Sequence, residues 1–454
     1  MNRPSRRDFL KTAAAGSVAA SIPSLLQAQA GRDQGGRDAA PADRIRIALI
    51  GAGGQGMSDT RIALRVPGIQ VTAVADIYDG RLARAKELWG PELFTSRDYR
   101  DVLARQDVDA VIVATPDHWH ARIATDAMKA GKDVYVEKPM VQAVDEGLGV
   151  AATAAETRRI LQVGSQRVSS IVYAKARELY RSGAIGELNM VEAWINRNSA
   201  IGAWQYTIPP DASPQTIDWD RFIGHATKRP FEPVRLFRWR NYRDYGTGIP
   251  GDLFVHLFSG IHYVLDSHGP VRVMATGGLR YWNDGRDVPD VMLALYDYPK
   301  TASHPAFTLS LKVNFAEGGG ENQGFRFVGP DGVLTIGGPG VTLARHPRAK
   351  EPGYTIDTFP IATQQKFLEE YRAKYPAQAA LQPAREEVYA PPGGYSDSYD
   401  HFVTFFGAVR SRQPVTEDAV FGFRAAAPAL LTNESYFEGR TVAWDPEAMK
   451  RART

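Results

Sequence analysis

The sequence predicts an α/β chain in which a doubly wound parallel sheet is followed by an α+β domain with an open, mostly antiparallel sheet. Three observations carry this. Short β-branched runs alternate with helix-like stretches from Arg44 to about residue 167, and a G-x-G-x-x-G string directly follows the first run. Beyond residue 168, strand-like segments follow one another with few helices between them. Strands alternating with helices imply a parallel sheet covered on both faces, because each crossover lays a helix on the sheet.

Ile45–Ile50 opens the rhythm, and Val71–Ala75, Ala110–Ala114, Asp133–Val136 and Ile160–Val163 continue it as strands. Helices are expected over Arg81–Trp89 and Ala121–Ala130. Downstream, Ala174–Ser182 reads as a helix and Leu188–Asn196 alternates as a strand. Val271–Gly277, Val291–Tyr296, Phe307–Asn314 and Gly324–Phe327 are further strand candidates. Residues 340–395, rich in Pro, Gly and charge, are expected to be irregular cover. Tyr399–Arg410 and Phe421–Tyr436 are expected to be helices that pack back on the body. The resulting division is a leader (1–30), a linker (31–43), a first domain (44–167) and a second domain (168–454).

The leader has the order of an export signal. Ser5-Arg6-Arg7-Asp8-Phe9-Leu10-Lys11 resembles the twin-arginine pattern, an Ala-rich stretch follows to Leu26, and Ala28-Gln29-Ala30 is a small-x-small cleavage site. The stretch is too short and too rich in Ala, Gly and Ser to remain as a membrane anchor. A periplasmic location follows. The leader also accounts for the net charge: residues 1–30 hold four of the 54 basic residues and one of the 51 acidic ones, leaving fifty of each. The remainder is neutral, so its charge gives no reason to expect a nucleic-acid partner. There are no cysteines, which excludes disulfides, thiolate metal sites and a Cys nucleophile.

The Gly-rich string is Gly51-Ala52-Gly53-Gly54-Gln55-Gly56, and Asp76 stands at the end of the next strand, twenty residues on. In this strand–loop–helix context it reads as a dinucleotide fingerprint. Gly51 permits the tight turn, Gly53 lets backbone approach a pyrophosphate, and Gly56 allows close helix–strand packing. Asp76 is expected to accept hydrogen bonds from the adenosine ribose and to disfavour an extra phosphate, so NAD is the expected cofactor and NADP the less favoured one.

Two further motifs end later strands: Thr115-Pro116-Asp117-His118-Trp119-His120 and Glu137-Lys138-Pro139. With the Gly-rich loop they make the chain resemble the Gfo/Idh/MocA oxidoreductases, from about Arg44 to the end. The resemblance implies that Thr115, Pro116 and His120 line the nicotinamide pocket, with Glu137 beside the cofactor. It also implies that Lys138 contacts both cofactor and substrate hydroxyl. It implies further that the Asp252-x-x-x-His256 pair supplies a general base, His256, with Asp252 beside it. Read from the residues, Asp252 and His256 share one face of a helix, and a carboxylate can orient an imidazole. Where the family often has an acidic residue shortly after that His, this chain has Leu257-Phe258-Ser259.

Other residues stay open. His118 either lines the pocket or packs against the next helix, His262 reads as structural, and Gln166-Arg167 either reach the cleft or face solvent. Trp194, Trp204, Tyr206, Trp239 and Tyr245 are candidates for sugar stacking or for core. No metal site is expected, because histidines are few and no third ligand has suitable spacing. The functional expectation is hydride transfer between a sugar or polyol hydroxyl and a tightly held NAD, in a homo-oligomer. Its alternatives are an NAD-dependent glycosidase acting by transient oxidation and elimination, and a non-catalytic cofactor-bound sensor or carrier. Replacing Arg6 and Arg7 by Lys is expected to leave the uncleaved chain in the cytoplasm, as read by cell fractionation; normal export would contradict the leader assignment.

Overall fold

The computed structural model describes residues 44–338, 340–345, 353–375 and 386–452, so the expected leader and linker lie outside the described residues. Six strands, β1 (Ile45–Ile50), β2 (Ile69–Ala75), β3 (Phe94–Ser96), β4 (Ala110–Val113), β5 (Asp133–Val136) and β6 (Leu161–Val163), pair in the order β3-β2-β1-β4-β5-β6. Every pairing is parallel. The chain winds outward from β1 to β3 and then crosses back to β4, so a crevice opens between the carboxyl ends of β1 and β4. β4, Ala-Val-Ile-Val, is buried along its length, as a strand covered on both faces must be. β3 went unpredicted because three residues carry no readable period.

The second domain is a ten-stranded sheet. Its members are β7 (Met190–Asn196), β8 (Arg272–Gly278), β9 (Val291–Tyr298), β10 (Phe307–Asn314), β11 (Asn322–Gly329), β12 (Gly332–Gly337), β13 (Gly340–Ala344), β14 (Glu386–Tyr389), β15 (Val442–Asp445) and β16 (Lys450–Arg451). The order is β14-β13-β12-β11-β7-β10-β9-β8-β15-β16, antiparallel except for the parallel pair β7–β10. On β9, Met292, Ala294, Tyr296 and Tyr298 face the core while Leu293 and Leu295 remain exposed on the other side. Part of the 340–395 stretch expected to be irregular is regular: it holds β13, β14 and a helix over Ile361–Lys374. That helix buries none of its residues, so it carries no apolar stripe to announce it. No helix among the described residues is long and apolar enough to cross a membrane.

Two C-terminal helices, Asp397–Ser411 and Ala419–Glu438, return to the first domain. Phe402 stacks on Tyr135 of β5 at a centroid distance of 4.5 Å, and Phe405 and Phe406 complete the cover, all three fully buried. Arg412 forks onto Asp133 at 2.6 and 2.9 Å, a bidentate pair at the helix end. His401 Nε2 donates to the Val163 carbonyl at 2.8 Å and its Nδ1 pairs with Ser169 Oγ at 2.7 Å.

Burial of His401 pushes its imidazole down to about 4, with the Val163 carbonyl opposing that shift. The folded value lies below the unfolded one, so protonation favours the unfolded chain. The stabilising contribution is present above about pH 6.5 and is lost as pH falls through that window towards about 4. The urea midpoint is expected to fall over this range, and His401→Gln is expected to flatten part of the slope; an unchanged slope would contradict the assignment.

Candidate active site

The loop at the end of β1 is built from glycines that have no room for side chains. Gly51 has φ +94°, and a Cβ on it would lie 2.6 Å from the Ala114 carbonyl oxygen at the end of β4. A Cβ on Gly56 would lie 2.1 Å from the Gly51 carbonyl oxygen, so the helix Gly54–Ala63 presses directly on the turn. A Cβ on Gly54 would meet nothing within 4 Å, because that residue faces the open cleft. No side chain caps this helix, so its first N–H groups are available to an anion. Asp76 Oδ2 accepts from the Ala52 amide at 2.7 Å and from Arg81 at 3.3 Å, while Oδ1 accepts from the Tyr78 amide at 2.9 Å. One lone pair on Oδ1 is left for a ribose hydroxyl. These features fit a dinucleotide bound pyrophosphate-first to the loop.

The cleft beyond this loop measures about 600 Å³ and is lined by Gly53, Gln55, Thr115, Pro116, Glu137 and Lys138, among others. That volume lies in the usual range for cofactor sites. His120 braces it: its ring nitrogens face the carbonyls of Pro139 and Thr115 at 2.8 and 2.7 Å, joining the two motif loops. The Thr115 hydroxyl is buried without a partner among the described residues. His118 proves structural, donating from Nε2 to the Phe222 carbonyl at 2.8 Å, and burial lowers its imidazole to about 4. His262 is also in the core, against the Tyr298 hydroxyl at 2.9 Å.

Lys138 closes the far end of the cleft. Its Nζ donates to Asp252 Oδ1 at 2.7 Å and to the Asp252 carbonyl at 2.8 Å. Arg240 Nε donates to the same Oδ1 at 3.0 Å, and the Trp204 indole donates to Oδ2 at 3.2 Å. Burial, the largest single influence, raises the Asp252 carboxyl, but Lys138, Arg240 and Arg197 together hold it well below the usual carboxylate range. The expectation that Asp252 orients His256 is corrected here. Residues Pro250–Phe254 form a π-type turn, and the α-helix starts only at Val255. Residues four apart still lie near one face through such a turn, and the Asp252 charge bears on His256, but no hydrogen bond joins the two side chains among the described residues. Asp252 turns to Lys138 instead, and His256 Nδ1 has no partner among the described residues. His256 opens on a neighbouring cavity of about 250 Å³ shared with Arg167, Gln323, Tyr395 and Asp397. Burial, then the Lys138 ammonium, hold its imidazole well below the ordinary value, so it stands neutral.

A segment absent from the motif reading covers the cleft. Residues 205–245 leave the second domain and cross onto the first, with their own apolar cluster around Tyr78, Phe222, Phe237 and Tyr245. Asp218 N donates to the Ile77 carbonyl at 2.9 Å and Asp79 N to the Thr216 carbonyl at 3.0 Å. Four residues past Asp218, the Phe222 carbonyl receives both His118 and the Trp119 indole, the latter at 3.0 Å. Tyr206, Phe237, Trp239 and Arg240 line the cleft from this segment. Of the candidate aromatics, Trp204 and Tyr245 are fully buried, Tyr206 and Trp239 reach the cleft, and Trp194 lies over Gly324 on the sheet. Arg240 was missed because no motif surrounds it; only its stacking on Trp239, 4.2 Å from the ring centroid, marks it locally.

Comparison with known proteins agrees with this geometry. Residues 45–165 match a model described as an oxidoreductase family with an NAD-binding Rossmann fold, and 197–281 match the C-terminal alpha/beta domain of the same family. Residues 3–23 match the twin-arginine signal sequence. A glycosyl hydrolase family 109 protein of Shewanella baltica is 33% identical over 215 residues, 42% of this chain and 46% of that protein. An inositol 2-dehydrogenase of Rubrobacter xylanophilus is 33% identical over 162 residues, 35% of this chain and 46% of that protein. The chain thus spans about half the length of the curated relatives it matches. A levoglucosan dehydrogenase solved with NADH and levoglucosan shares the fold, with TM-score 0.61 and 17% identity over 88% of this chain and 99% of that one.

Removing Asp252 would leave two buried cations facing each other, whereas removing Lys138 leaves the carboxylate with Arg240 and Trp204. Asp252→Ala is therefore expected to cost about 3–5 kcal/mol of stability in urea unfolding. Lys138→Met is expected to cost clearly less, and equal losses would contradict the shared-carboxylate geometry.

Proposed function

This chain belongs to the Gfo/Idh/MocA oxidoreductase family and carries a twin-arginine export signal, and we propose that it oxidises sugar or polyol hydroxyls, and reduces the corresponding ketones, with a nicotinamide cofactor that it does not release. The supporting observation is the Lys138–Asp252 pair at the end of a dinucleotide cleft covered by residues 205–245. When bound, NAD supplies the acceptor and donor of the hydride. Lys138, held by Asp252, binds the substrate oxygen, and neutral His256 takes its proton. The covering segment excludes water and blocks the way out for the cofactor. The twin-arginine route carries folded proteins, so a cofactor loaded before export has to stay bound. A closed cycle follows, in which each hydride taken is returned on the same enzyme.

The match to the glycosyl hydrolase family 109 protein favours a second form of this cycle, in which oxidation is transient and an elimination releases an aglycone before the hydride returns. The exposed outer sheet face, with Met190, Met274, Leu293 and Leu295, supports a homo-oligomer.

Protein from the periplasm is expected to carry near-stoichiometric NAD(H) through gel filtration and to turn over sugars or glycosides with none added. Lys138→Ala and His256→Ala are each expected to lower kcat by about 10²–10⁴ with cofactor still bound. An empty protein that needs added NAD would overturn the closed cycle, and unchanged turnover in His256→Ala would remove it as base.

A further inference from the structure

Two buried carboxyls meet beside Lys138. Asp59 lies on the helix that follows the Gly-rich loop and is 2% exposed; Glu137 ends β5 and is 6% exposed. Gln55 Nε2 donates to Asp59 Oδ1 at 2.9 Å. The remaining oxygens, Asp59 Oδ2 and Glu137 Oε1, are sealed from solvent and have no donor among the described residues. The two groups lie within hydrogen-bond reach of each other. Space is reserved for them: a Cβ on Gly164 would lie 2.3 Å from Glu137 Oε1. Two buried carboxylates in contact, each with a bare oxygen, repel and are unsolvated, whereas one proton between them makes an O–H···O bond that satisfies both.

We propose that Asp59 and Glu137 hold one proton between them in the resting enzyme and take up a second, from the substrate hydroxyl, each time the nicotinamide is reduced. This rests on the resident-cofactor reading above. When a carbinol is oxidised, the hydride carries both electrons to the ring and the oxygen loses a proton. His256 takes that proton but cannot keep it, because burial and the Lys138 ammonium disfavour the charged ring. The Lys138 ammonium relays it by giving a proton to Glu137 as it receives one. The carboxyl pair goes from one negative charge to none while the ring loses its positive charge, so the buried site stays electrically balanced. Returning the hydride draws the same proton back, and no outside acid, base or oxidant is needed.

The groups around the pair agree with this. Burial, the leading cause, raises Asp59 well above its ordinary range and Glu137 to about 7. Lys138 and Arg240 oppose the rise at Glu137, and Asp252 adds to it. Tyr135 and Glu417, also buried nearby, are raised chiefly by burial as well. Asp59 does not line the cleft and acts through Glu137, as a positioning residue.

The test uses cofactor-loaded protein and two readouts. Infrared difference spectra at about pH 8, wild type against Asp59→Asn and against Glu137→Gln, are expected to show a protonated carboxylic acid lost in both variants. Absence of that band would overturn the proposal. Stopped-flow mixing with substrate in weak buffer, with a pH indicator beside nicotinamide absorbance, is expected to show reduction without proton release in the wild type. About one proton per reduced ring is expected from either variant. Proton release by the wild type would also overturn it. If no sugar or glycoside reduces the ring, the oxidoreductase reading fails instead, and the infrared band still decides whether the pair shares a proton.

Discussion

Three parts of the chain that are far apart in sequence end on one carboxylate. Lys138 arrives from the end of β5, Arg240 from the covering segment and Trp204 from its beginning, and all donate to Asp252. An isolated carboxylate at this depth would be costly, and so would either cation alone, so each is tolerable only while the others are in place. This mutual dependence makes the relative position of the two domains and the covering segment a matter of charge satisfaction as well as apolar packing.

The same arrangement separates jobs that a simple acid–base pair would combine. Asp252 stays ionised and holds cations, which suits it to placing Lys138 and poorly to exchanging protons. His256 stands neutral with an unclaimed nitrogen. Glu137, at about 7, is by contrast a group whose charged and neutral forms are close in energy.

How much could be read from the sequence depended on whether a residue's partner was local. Gly51, Gly56 and Asp76 were legible because strand, turn and helix follow directly and the backbone leaves no choice of residue. Glu137-Lys138-Pro139 was legible as a string, yet Arg240, which shares the Asp252 carboxylate with Lys138, was not, since it reaches that carboxylate only after residues 205–245 cross between domains. The Asp252–His256 spacing did not reveal that Lys138, Arg240 and Trp204 claim the carboxylate, because those partners come from elsewhere in the chain. The helix Ile361–Lys374 and strand β14 were missed for want of buried positions: an edge strand held by ladder bonds and a helix with solvated side chains leave little period to detect.

The helix Asp397–Ser411 covers Tyr135 and the face of the parallel sheet near β5 and β6 with Phe402, Phe405 and Phe406. It is encoded more than two hundred residues after the last strand of that sheet. While the chain is being made, the first domain therefore emerges with an apolar face bare, and it stays so until residues 397–411 have left the ribosome. Strand β7 waits in the same way for β10 and β11, its neighbours on either side. Neither domain can mature ahead of the other, so the nucleotide cleft is finished late and all at once, after translation and before the folded protein is handed to the export machinery.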